Sequence, residues 1–141
     1  MKQEKNNYCL CAVIQEVFKK YNINISQDEI AKELTPSKKG FEANDEKIKQ
    51  FMDKNGFNYQ FYWNNTTPFN EPDTLIDEIS QKGGFMGLDN HTYLLVKMDY
   101  DKIKAIDPKD NSMREFNYYS MMKEMSRKND GCFGLIKKVQ N

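Results

Sequence analysis

The sequence predicts an α+β fold in which N-terminal helices pack on a C-terminal antiparallel β-sheet. Two observations carry this. In the first half, apolar residues recur at helical spacing, whereas from Phe85 onward they follow the shorter period of strands separated by turn residues. Helical and strand segments are also segregated along the chain, which excludes a wound parallel sheet. At 141 residues the chain reads as one domain, 1–141, long enough to bury a core without disulfides. It contains no internal repeat and no low-complexity segment.

The first helix begins at Cys9. Ala12, Val13, Val17 and Tyr21 repeat at i, i+3 and i+4, with Ile14 and Phe18 beside them, and Asn22 stops the run. Ser26-Gln27-Asp28-Glu29 is a capping box that opens a short second helix, ended near Leu34 by Pro36. Residues 35–43 read as a loop. A third helix runs from Asp45 to Lys54, with Ile48, Phe51 and Met52 on one face and Asn55-Gly56 closing it. Phe57, Tyr59, Phe61 and Trp63 alternate with polar or amphipathic residues as in a strand. Asn64–Pro72 reads as an irregular connection, and Thr74–Ser80 as a fourth helix stopped by Gly83-Gly84. Strands follow at Phe85–Leu88, Thr92–Met98, Lys102–Ile106 and Met113–Tyr118. Asp99-Tyr100-Asp101 and Pro108–Asn111 supply the turns. A helix over Ser120–Arg127 and a strand over Phe133–Val139 complete the chain.

Composition excludes several function classes. The 21 basic and 21 acidic side chains cancel, so there is no excess of positive charge for nucleic acid or for an anionic membrane surface. The N-terminus, MKQEKNNYCLCAVIQEVF, is polar where a signal peptide needs its apolar core. No apolar run is long enough to span a bilayer. Three cysteines, an odd number, make no disulfide framework. The expectation is a cytoplasmic protein with no nucleic-acid partner.

Chemistry centres on the one histidine, His91, which opens a strand. Fifteen residues separate it from Asp107, and a hairpin turning near residues 99–101 makes the two cross-strand neighbours, close enough for a carboxylate to hold the imidazole. Taken alone, His91 reads more readily as an ordinary surface or core histidine, with Asp107 starting an Asp-Pro turn. Cys9 changes this. A cysteine in the first turn of a helix lies in the positive field of the helix dipole, which favours thiolate, and a thiolate nucleophile needs an oriented base. A small buried hydrophobe remains the alternative reading of Cys9, and a packing residue is the preferred one for Cys11. Zinc binding by Cys9, Cys11, His91 and Cys132 is disfavoured, because paired cysteine ligands are spaced by two to four residues and here one intervenes. No cofactor or metal is expected. Gln3 stands six residues before Cys9. Its carboxamide reaches an oxyanion only where the N-terminal segment folds back over the helix start; otherwise it is a solvated tail residue.

Gln3, Cys9, the helix running to Tyr21-Asn22, His91-Thr92-Tyr93-Leu94-Leu95-Val96 and Lys104-Ala105-Ile106-Asp107-Pro108 together resemble the bacteriocin-processing double-glycine peptidases. The resemblance runs from residue 3 to about 139 and implies a papain-like cysteine peptidase fold. It implies roles as well: Cys9 as nucleophile, His91 as base, Asp107 as its orienter and Gln3 as oxyanion donor. The implied reaction is peptide hydrolysis, after a double glycine in a leader peptide, and the implied partner is a peptide or protein substrate handled by an export system. Tyr8 and Leu10 depart from the family, which commonly has an acidic residue before the cysteine and a glycine after it. Its best-known members are domains of peptide-exporting ABC transporters, whereas this sequence carries neither a membrane span nor a Walker-A loop, so a stand-alone version is expected. Two other activities fit the same residues: acyl transfer or deamidation, and peptide binding without catalysis.

Overall fold

The structure of the protein, a computed structural model, describes residues 1–34, 45–64 and 71–139. The loop expected over 35–43 and most of the connection after Asn64 lie outside the described residues. Five helices and six strands follow in order: α1 (Cys9–Lys19), α2 (Gln27–Leu34), α3 (Asp45–Lys54), β1 (Phe57–Trp63), α4 (Pro72–Lys82), β2 (Gly84–Leu88), β3 (His91–Met98), β4 (Lys102–Asp107), β5 (Ser112–Asn117), α5 (Tyr118–Lys128) and β6 (Cys132–Lys138).

Most element boundaries fall within two residues of those read from the sequence, and local chemistry explains the shifts. Pro72, which has no N–H to leave unpaired, starts α4 two residues earlier than Thr74. The Asn117 side chain accepts the Ser120 N–H at 3.0 Å, so α5 begins at Tyr118 rather than at Ser120. One arm of the expected capping box is present at α2, where Ser26 Oγ accepts the Glu29 N–H at 3.1 Å. Asn22 takes the left-handed conformation, φ 61°, just past the end of α1.

The strands form one antiparallel sheet in the order β1-β6-β2-β3-β4-β5. Strands β2 to β5 are the expected meander. The first and last strands in the sequence meet at the other edge, with β6 lying between β1 and β2. Two glycines allow this. Gly84 on β2, with φ +146°, lies so close to β6 that a Cβ there would stand 1.9 Å from the Gly134 carbonyl oxygen. A Cβ on Gly134 would run into the Phe85 ring. We therefore expect Gly84→Ala to destabilise the fold by about 3 kcal/mol, through overpacking and a strained φ. Urea titration checks this, and an unchanged midpoint would mean that the two strands separate without cost.

Helices cover both faces of the sheet. On one face, α1 is buried almost all round, packed by α2, α3, Phe57, Tyr59, Phe85, Leu94 and Ile136. Phe18 of α1 stacks on Phe57 at 4.5 Å and on Phe51 of α3 at 5.6 Å, which locks three elements together. On the other face, α4 and α5 bury Leu75, Ile79, Tyr118, Met121 and Met125 against Met86, Leu95, Met98, Ile103 and Phe133. The N-terminal helices thus pack on the sheet as expected, and α4 and α5 add a layer on its opposite face. Among the described residues, no helix is long and apolar enough to cross a membrane.

Candidate active site

Cys9 is the first residue of α1 and is 8% exposed. Tyr8, at the N-cap, makes no side-chain capping bond, and the first turn holds no acidic residue. The unpaired amides and positive dipole end of α1 are therefore left to act on whatever sits beside the sulfur. Tyr8 instead turns its hydroxyl to Asp28 Oδ1 of α2, 2.7 Å away, with Lys5 Nζ 3.4 Å from the same oxygen. The residue before the cysteine is thus not acidic, but it bonds to a carboxylate from the next helix.

His91 comes into position from the other side of the site. It follows a tight hairpin in which Asp89 and Asn90 both have positive φ, 54° and 59°, as a type I′ turn requires. That turn is tied to the α5–β6 loop: the Asp89 N–H donates to Asp130 Oδ2 at 2.9 Å, and Lys128 Nζ lies 3.1 Å from the Asp89 carboxylate. On β3, the His91 ring packs edge-on against Tyr93, centroids 4.8 Å apart.

Asp107, the last residue of β4, places Oδ1 2.6 Å from His91 Nε2 and is 5% exposed. The same oxygen accepts the Lys109 N–H at 3.0 Å, and Arg114 Nη2 lies 3.5 Å from Oδ2. A carboxylate held on both oxygens fixes the ring plane of the imidazole and directs its other nitrogen, Nδ1, away from the aspartate. Extending the Leu94–Ile106 pairing by one residue sets Asp107 opposite Tyr93, so it meets His91 on the diagonal rather than directly across.

Cys9 and His91 perturb each other. Burial pushes the Cys9 thiol up, but hydrogen bonds from His91 and from the Thr92 side chain and backbone, together with the His91 charge, outweigh it, and the net shift is downward. His91 is raised above its ordinary value, first by its bond to Cys9 and then, against the opposing effect of burial, by Asp107. The two groups thus move toward each other in pKa, as a thiolate–imidazolium pair does. Cys11 behaves oppositely: burial, followed by the neighbouring Cys9 charge, pushes it up to about 12. Cys132 is buried on β6.

Gln3 is tied down. Its backbone N–H donates to the Pro108 carbonyl at 2.7 Å, which docks the N-terminal segment beside Asp107. Its side-chain Nε2 donates to the carbonyls of Lys5 and Asn6 at 3.0 and 3.1 Å, and its Oε1 is buried without a hydrogen-bond partner. The structure therefore brings Cys9, His91 and Asp107 together. It places the Gln3 backbone alongside them, with the carboxamide engaged on the segment that leads into α1. Among the described residues, no group of three or more His, Cys, Asp or Glu is gathered as a metal would require.

Thr92 and Arg114 were not legible as site residues. Threonine is an ordinary strand residue, and nothing in its type marks a bond to Cys9. Arg114 lies on a strand whose partnership with Asp107 depends on the β4–β5 register, Asp107 being opposite Ser112.

Residues 1–128 match the profile of the peptidase C39 family. The chain belongs to that family. It is accordingly a cysteine peptidase, as its sequence suggested. The peptidase domain of Streptococcus ComA, a bifunctional ABC transporter involved in a quorum-sensing pathway, superposes with a TM-score of 0.71 at 17% identity, over 99% of this chain and 97% of that one. A double-glycine-motif protease from an AMS/PCAT transporter, solved with a leader peptide, superposes with a TM-score of 0.72 at 17% identity, over 99% and 90%. At that identity the two structures show a common fold. Among curated proteins, none matches the chain.

Proposed function

We propose that this C39 peptidase cleaves peptide bonds that follow a double glycine in leader peptides bound for export, with residues 1–141 acting as one peptidase domain. The observation that carries the site is the His91 Nε2–Asp107 Oδ1 approach of 2.6 Å, beside a Cys9 thiol whose pKa His91 draws downward. The Cys9 thiolate attacks the scissile carbonyl and forms a C–S bond. His91, as imidazolium, gives its proton to the leaving amine, then takes one from the water that hydrolyses the thioester. Asp107 keeps Nε2 protonated and Nδ1 turned to the sulfur. The oxyanion is held by the Cys9 N–H at the free end of α1 and by the Gln3 carboxamide, which transfers one N–H from the Lys5 or Asn6 carbonyl to the charged oxygen.

A double glycine suits such a site. With Tyr8, Cys9 and Leu10 all buried around the nucleophile, a substrate backbone without Cβ atoms approaches the sulfur more closely. The similarity to a double-glycine protease solved with a leader peptide supports the same substrate class.

The test is a synthetic leader-like peptide with Gly-Gly before the cargo residues, incubated with the protein and read by mass spectrometry. We expect one cut, after the second glycine, and a loss of about tenfold or more in kcat/KM when both glycines become alanine. Cleavage at unrelated bonds, or indifference to the alanines, would remove the double-glycine reading.

A further inference from the structure

Gln27 and Asp107 are the buried polar side chains among the described residues, and the mechanism uses only Asp107. Gln27, the first residue of α2, is 2% exposed. A buried carboxamide is costly unless its bonding capacity is met. Here Oε1 accepts the Glu4 N–H at 2.9 Å, and Nε2 donates to the Lys2 carbonyl at 2.9 Å and to Gln15 Oε1 at 3.0 Å. Lys2 and Glu4 are the two neighbours of Gln3. A group that donates to residue i−1 and accepts from residue i+1 reproduces the pattern of an adjacent parallel strand. One side chain thereby fixes the direction and register of the segment around Gln3.

The orientation of that carboxamide is itself determined. Gln15, on α1, donates its Nε2 to the Ile25 carbonyl at 3.0 Å, so its oxygen faces Gln27, and only the Gln27 N–H2 group can answer it. On its other side the segment is held by the Gln3 N–H bond to Pro108, next to Asp107. The backbone of Gln3 is thus clamped between α2 and the end of β4, and the clamp is referenced through Gln15 to the helix that carries Cys9.

We infer that Gln27 is a positioning residue for Gln3, setting the distance from its carboxamide to the oxyanion formed at Cys9. The inference rests on the reading of Gln3 as an oxyanion donor. The experiment compares wild type, Gln27→Met, Gln3→Ala and the double variant on an acyl-Gly-Gly-aminomethylcoumarin peptide, alongside iodoacetamide alkylation of Cys9. Methionine keeps the volume and apolar contacts of Gln27 but none of its hydrogen bonds. Alkylation forms no oxyanion, so it reports the Cys9–His91 pair alone.

Gln27→Met is expected to lower kcat about tenfold, less than the roughly hundredfold for a lost oxyanion donor, with KM and the alkylation rate unchanged. The double variant is expected to be no slower than Gln3→Ala. Gln15→Met, which frees the Gln27 carboxamide on one side, should give a smaller loss in the same direction. Wild-type kcat in Gln27→Met beside an impaired Gln3→Ala overturns the positioning role and leaves the oxyanion reading intact. Wild-type kcat in Gln3→Ala overturns the oxyanion reading itself. Parallel losses of turnover and alkylation in Gln27→Met assign the residue to stability only.

Discussion

We expect Cys9→Ala to abolish hydrolysis of the Gly-Gly peptide, a fall of at least about 10⁴-fold in kcat, and Cys11→Ala to retain most of it. The two thiols lie two residues apart on one helix and differ in what surrounds them. Cys9 is drawn toward thiolate by His91 and Thr92 despite its burial. Cys11 is fully buried, and its thiol is pushed up to about 12. At neutral pH the second sulfur then stays a thiol. Removing the Cys11 sulfur leaves a small void, costing about 1 kcal/mol or somewhat more, which a folded domain tolerates. Turnover by mass spectrometry, with circular dichroism to verify folding, checks both variants. Persisting turnover in Cys9→Ala would end the assignment.

The second large effect is that of His91→Ala, read in turnover and in the pH dependence of Cys9 alkylation. In the wild type, alkylation is expected to rise with pH as Cys9 ionises, at a pH below the ordinary thiol value, because the bonds from His91 and Thr92 exceed the effect of burial. Removing the imidazole deletes the bond and the charge that lower the pKa but leaves burial, which raises it. The alkylation curve must therefore move to higher pH, toward or beyond the ordinary thiol value of about 8.5. Turnover is expected to fall by about 10³-fold or more, because the proposed proton donor to the leaving amine goes with the ring. For the wild type, we expect kcat/KM to have two limbs. It should rise as the pair loses the thiol proton and fall as the raised His91 titrates, the two apparent pKa values belonging to the pair. A curve that stays in place in His91→Ala would leave Thr92 and the helix end as the source of the reactivity.

Much of this site was legible because it rests on residue types with few competitors. The chain has one histidine, so the base had one candidate, and the apolar run after Cys9 marked a helix start. Asp107 was singled out through hairpin logic, since the turn near residues 99–101 brings the end of β4 beside the start of β3, although the turn does not fix which face it takes. The Gln3 environment was not legible. Whether an N-terminal segment is frayed or clamped depends on Gln27 and Pro108, which are distant in the chain from any local signal. Thr92 and Arg114 were hidden for a related reason, their partners being set by packing and register.

The sequence by itself determined the helix and strand segments and their order, and singled out residues 9, 91 and 107 as candidates, since periodicity, caps and turns are local properties. Tertiary structure decided where β6 lies, because the close approach of Gly84 to Gly134 has no local expression. It also decided which face Asp107 occupies. Met98 pairs with Ile103, and an unbroken ladder from there would set Asp107 opposite Leu94, on the face away from His91. Instead the ladder slips between Leu95 and Lys97, leaving Val96 unpaired and half exposed. Leu95 and Met98, three residues apart, consequently bury in the same core. Asp107 then falls opposite Tyr93, on the His91 face. One extruded residue on β3 brings carboxylate and imidazole together, because a strand alternates its faces with every residue and a bulge resets that alternation.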